Sequence, residues 1–127
     1  MTLEHIALNV PDPKATAAWY AEHLDMRIVK SVDSAPYIHF VADASGSMLE
    51  LYHNPDGAIP DYASMSPYTL HLAFSVEDIG AERKRLVAAG ASVAHGEEKT
   101  PSGDTLQFLR DPWGVCIQIV KRAKPML

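Results

Sequence analysis

The chain has 127 residues, about one domain, and its 47% hydrophobic and 21% charged content is ordinary for a globular protein. A formal charge of −5 argues against broad attraction to nucleic acid, and the basic end Lys121-Arg122-Ala123-Lys124 is too short to reverse that. The lone Cys116 cannot form an internal disulfide, and no export leader or long apolar run is present, so the expectation is a cytoplasmic protein with no membrane span.

Glu4–Val10 alternates large apolar residues with His and small residues, the period of a strand. Pro11-Asp12-Pro13 then signals a helix start, with Asp12 as cap and Pro13 at the first position. Thr16, Trp19, Tyr20, His23 and Leu24 recur at helical spacing as its packed face, and Asp25 closes it where Gly or Asn is more usual. Strands follow at Arg27–Val32, Tyr37–Ala42 and Met48–Tyr52, separated by the turns Asp33-Ser34-Ala35-Pro36 and Asp43-Ala44-Ser45-Gly46. From His53 to Tyr68 the breakers Pro55, Gly57, Pro60 and Pro67 make a loop that joins two halves.

The second half repeats the order. Leu70–Val76 is a strand, and a helix from Asp78 to Ala89 carries Ile79, Arg83, Leu86 and Val87 on its packed face, with Gly90 at its left-handed cap. Ser92–Ala94 is a short strand, Glu97–Gly103 a polar loop, and Thr105–Arg110 and Val115–Val120 are strands around the turn Asp111-Pro112-Trp113-Gly114. Each half therefore reads strand, helix, three strands, an α+β architecture.

Four residues recur across this repeat: His5 and Glu50 in the first half, His71 and Gln118 in the second. Residues two apart on a strand share a face, so His5 goes with Ala7 and Asn9, and His71 with Ala73 and Ser75. The opposite faces carry Ile6, Leu8 and Val10, and Leu72, Phe74 and Val76, which belong to a core against the helices. A lone strand histidine is more often structural than a ligand. Duplicated on faces cleared of bulk, with a carboxylate or amide late in each half, the ligand reading outweighs the bland one. Two imidazoles with carboxylate and amide oxygens suit Zn²⁺, Ni²⁺, Fe²⁺, Co²⁺ or Mn²⁺. His39 fits a cavity wall or a solvent face equally well, whereas His23, His53 and His95 read as structural or exposed and Cys116 as an inert buried thiol.

The chain resembles the vicinal oxygen chelate superfamily, which includes glyoxalase I, bleomycin-resistance proteins and extradiol dioxygenases. The resemblance spans its whole length. It rests on His5-Ile6-Ala7-Leu8-Asn9-Val10, Trp19-Tyr20 with Leu24-Asp25-Met26, Met48-Leu49-Glu50-Leu51-Tyr52, His71-Leu72-Ala73-Phe74-Ser75-Val76, Leu86-Val87-Ala88-Ala89-Gly90-Ala91 and Leu109-Arg110-Asp111-Pro112-Trp113-Gly114. It implies one domain over 1–127 built of paired βαβββ modules, about 1–54 and 69–122, whose strands form a curved, partly open eight-stranded barrel-like sheet with helices outside. It also implies a homodimer, a small-molecule substrate, and a divalent metal ion held by His5, Glu50, His71 and Gln118.

The His, Glu, His pattern matches bacterial glyoxalase I and points to a lyase or isomerase acting on a substrate that chelates the ion through vicinal oxygens, with Glu50 as the catalytic acid–base group. Gln118 departs from it, standing where glyoxalase I has a glutamate. An amide oxygen can still ligate but cannot take a proton near neutral pH. The alternatives are a non-catalytic small-molecule binder of the bleomycin-resistance kind, with Tyr37, Tyr52 and Trp113 as aromatic lining, or an Fe-dependent dioxygenase. Asn54 stands where a thiol-cofactor contact is compatible with the family.

Overall fold

Asp12 opens helix α1 (Pro13–His23) as the sequence predicts, its carboxylate accepting the Ala15 N–H at 3.0 Å, a cap worth about 1 kcal/mol. The helix ends at Leu24, after which Asp25 takes the left-handed conformation with φ 54°. In the computed structural model, which describes residues 1–127, the chain divides into two compact units, Met1–Pro60 and Asp61–Leu127.

The first unit holds α1 and the strands β1 (Ile6–Asn9), β2 (Arg27–Ser31), β3 (His39–Ala42) and β4 (Met48–Tyr52). Their order in the sheet is β1-β4-β3-β2, with β1 and β4 parallel and the other pairs antiparallel. Helix α1 packs on β2, β3 and β4. Leu8, Val41, Leu49 and Leu51 are buried on that side with Trp19 and Tyr20. Ile6 departs from the expected core and is 47% exposed. It sits at the start of an edge strand outside the three strands that the helix covers.

The second unit holds β5 (Leu72–Ser75), α2 (Ile79–Ala88), β6 (Ser92–Val93), β7 (Glu98–Lys99), β8 (Thr105–Arg110) and β9 (Cys116–Lys121). The order β5-β9-β8-β6 repeats the first sheet, again with its first and last strands parallel. Strand β7, in the stretch expected to be loop, is a two-residue addition that pairs with β8. Asp78 caps α2 through the Ala81 N–H at 2.9 Å. Gly90, at φ 105°, closes it while the N–H groups of Gly90 and Ala91 return to the Val87 and Leu86 carbonyls. Ile79 and Leu86 are buried and Arg83 donates to the Gln107 Oε1 at 3.4 Å, but Val87 is exposed, one position off the face that meets the sheet.

The whole is α+β, with two helices and two mixed sheets and no closed barrel. No helix is long and apolar enough to cross a membrane. The stretch between Tyr52 and Leu72 has no helix or strand, yet it is tied down at both ends. Asn9 donates to the carbonyls of Asn54 and Gly57 at 2.9 and 2.8 Å and accepts the Asn54 N–H. Arg110 donates to the carbonyls of Tyr62 and Met65 at 2.8 and 2.7 Å.

Candidate metal centre

His5 and His71 each lie one residue before a strand, because pairing begins only at Ile6 with Leu49 and at Leu72 with Ile117. In the first unit Ala7 pairs with Glu50, and Glu50 in turn with Phe40. In the second unit Ala73 pairs with Gln118, and Gln118 with Phe108. The late residue of each half therefore holds the same register position. The match extends to the rings: His5 meets Phe40 edge-on at 5.3 Å and 89°, and His71 meets Phe108 at 5.2 Å and 80°.

The His5 Nε2 lies 3.3 Å from the Glu50 Oε2. On the far side of the ring its Nδ1 contacts the Glu4 carboxylate. That contact raises the His5 pKa; burial opposes the rise, and Glu50 adds to it. His71 is held in the same sense, with its Nδ1 2.8 Å from the Pro67 carbonyl oxygen. A carbonyl or carboxylate oxygen only accepts, so Nδ1 carries the proton in both rings; a neutral His71 then presents its Nε2 lone pair, whereas the His5 Nε2 also faces a carboxylate, that of Glu50. Histidines that bind metals are generally oriented this way, with the second nitrogen donating to a carbonyl or carboxylate. Each unit thus offers one imidazole and one side-chain oxygen, Glu50 or Gln118, of types that ligate divalent ions. No group of three or more His, Cys, Asp or Glu side chains is placed to hold a metal ion.

The remaining histidines sort by their contacts. His39 is buried on the helix side of the sheet, opposite Leu51, with Nδ1 bonded to the Tyr37 carbonyl at 2.8 Å. His23 meets the Trp19 ring at a tilt of 59°, and His53 bonds the Val10 and Pro11 carbonyls at 3.1 Å. His95 is exposed and, with Tyr68, flanks Phe108. The Asn54 side chain accepts the Asp56 N–H and so shapes its own turn.

Cys116 is 4% exposed, and burial pushes its thiol pKa up. Ellman's reagent at pH 8 is expected to label the native protein slowly and the denatured protein fully. Rapid native labelling would place the thiol at the surface.

Four supporting groups lie outside the repeated four. Glu4 hides because strand alternation puts neighbours on opposite faces, a rule that lapses before the strand begins. The Pro67 carbonyl is backbone and leaves no side-chain signature. Phe40 and Phe108 were findable, since each stands at the same spacing before its Glu or Gln.

Residues 2–119 match the model of the Glyoxalase/Bleomycin resistance protein/Dioxygenase superfamily. The chain belongs to this superfamily. A "Probable lactoylglutathione lyase" of Vibrio parahaemolyticus is 25% identical over 124 residues, which cover 92% of this chain and 88% of that protein. A glyoxalase family protein from Bacillus cereus superposes with a TM-score of 0.78 at 17% identity, over 95% of this chain and 93% of that one. An antibiotic binding protein from Streptomyces sp. CB03234 has a TM-score of 0.70 at 20% identity, over 97% of each chain. The two solved structures share the fold. Members of the superfamily generally use divalent metals and bind small molecules.

Proposed function

We propose that the protein is a metal-dependent enzyme of the glyoxalase type, a lyase or isomerase acting on a small substrate that binds the ion through vicinal oxygens. The observation that carries this reading is the pair of register-matched half-sites, each with its histidine Nδ1 held by an oxygen. His5, Glu50, His71 and Gln118 are the ligand set, and Zn, Ni, Fe, Co or Mn is the ion. In this reading the protein is a cytoplasmic homodimer. Each chain is one domain whose modules, about 1–54 and 69–122, join in a curved, partly open barrel-like sheet with helices outside.

A divalent ion bound there supplies Lewis-acid polarisation of a carbonyl oxygen. Glu50 takes and returns the substrate proton, because the Gln118 amide cannot accept one at neutral pH. Glu4 fixes the His5 ring so that Nε2 is directed at the Glu50 carboxylate. The Pro67 carbonyl does the same for the tautomer of His71.

Elemental analysis of the purified protein tests this reading. The wild type is expected to hold close to one ion per chain, and Glu50→Gln and His71→Ala to retain far less after mild chelation. Full metal content in both variants would overturn the ligand set. The second reading, a non-catalytic binder, is favoured by Gln118 in place of the glutamate. A protein that takes up no metal and binds small molecules regardless of chelator would establish it.

A further inference from the structure

We propose that Lys30 determines specificity by binding a substrate carboxylate that a short carbon chain separates from the chelating oxygens. The inference rests on the metal-site reading above. Ala7, Glu50, Phe40 and Lys30 form one unbroken cross-strand row. Directly paired residues share a face, so Lys30 lies on the face of Glu50. Its Nζ is 5.7 Å from the centre of the Phe40 ring, within cation–π range, and the same ring meets His5.

Three other basic side chains are satisfied by carboxylates: Lys14 by Asp33, Arg85 by Glu82 and Arg122 by Asp104. The Lys30 ammonium has no such partner and keeps its N–H donors for a ligand. The electrostatics of the face make that ammonium consequential. Glu4 and Glu50 flank His5, so an anionic substrate approaching there meets two carboxylates, and Lys30 offsets their repulsion.

Neighbouring strands are roughly 4.8 Å apart, so Lys30, two strands from Glu50, stands roughly 10 Å away along the row. The group it binds is therefore not one of the chelating oxygens. The repeat does not dictate this lysine either, because in the second unit Phe108 is flanked by Tyr68 and His95.

The test uses two probes with identical vicinal oxygens, 2-hydroxyglutarate and 2-hydroxyglutaramate, which differ only in the distal carboxylate or carboxamide. Each is titrated calorimetrically into Zn-loaded protein whose metal content is measured on the same sample. The wild type is expected to bind 2-hydroxyglutarate about fivefold more tightly, the scale of one partly exposed ion pair. Lys30→Met should abolish that preference and leave 2-hydroxyglutaramate affinity unchanged, while Lys30→Arg keeps most of it.

If Lys30→Met keeps the preference, or the metal-loaded wild type binds neither probe, the role of Lys30 is overturned and the metal site stands. Protein that retains no zinc marks the failure of the metal-site reading itself, and the role of Lys30 falls with it.

Discussion

Phe108→Ala is expected to destabilise the second unit by about 4 kcal/mol, the usual scale for emptying a buried aromatic site. Phe108 is only 2% exposed and meets three other rings, Tyr68 at 5.6 Å, His71 at 5.2 Å and His95 at 6.2 Å. Alanine removes the transfer free energy of the ring and leaves a void that pairing to β9 keeps from collapsing. Phe108→Leu, which fills most of the space, should lose about 1–2 kcal/mol. Urea unfolding of the three proteins measures both losses. A loss below about 1 kcal/mol for the alanine variant would show that the site collapses freely and that the ring is not a keystone of this sheet.

Gly114→Ala should be nearly as damaging, by about 3 kcal/mol, for two reasons that can be separated. Gly114 has φ 93°, where a side chain is strained, and an added Cβ would lie 2.7 Å from the Ala63 N and 2.9 Å from the Ala63 Cβ. The backbone at Ala63 has little room to yield. Arg110 ties the carbonyls of Tyr62 and Met65, and it bonds the Gly114 carbonyl itself at 3.1 Å. Gly46 supplies the control, since its φ is 94° and nothing lies within 4 Å of an added Cβ. Gly46→Ala therefore carries the backbone strain alone, about 1 kcal/mol. Equal shifts in the urea midpoint for the two variants would refute the close-approach account.

The order of elements was legible because its punctuation is local chemistry. Asp12-Pro13 and Asp78 cap their helices and Gly90 closes α2, as their residue types foretell, while Asp25 closes α1 in the left-handed conformation where Gly or Asn is more usual. The repeated four were legible for a different reason: duplication made two weak signals corroborate each other. Burial was less legible. Ile6 has the alternation of a core residue, but its exposure depends on which strands α1 covers, a tertiary fact absent from the local pattern. Val87 fails the same way, since one step around a helix turns a residue from sheet to solvent. His39 was undecidable until the register with Leu51 assigned it to the helix side.

The parallel pairing of first and last strands also governs how the chain reaches this structure. Ile6 pairs with Leu49 and Leu72 with Ile117, so each sheet is completed only by its final segment. On the ribosome, β1 emerges early and must wait through a helix and two further strands before its partner exists. Such non-local pairing is slow and leaves a strand edge open in the meantime. The exposed Ile6 on that waiting strand is thus a hazard during synthesis, whereas the hydrogen bonds of helix α1 and its Asp12 cap need no distant partner.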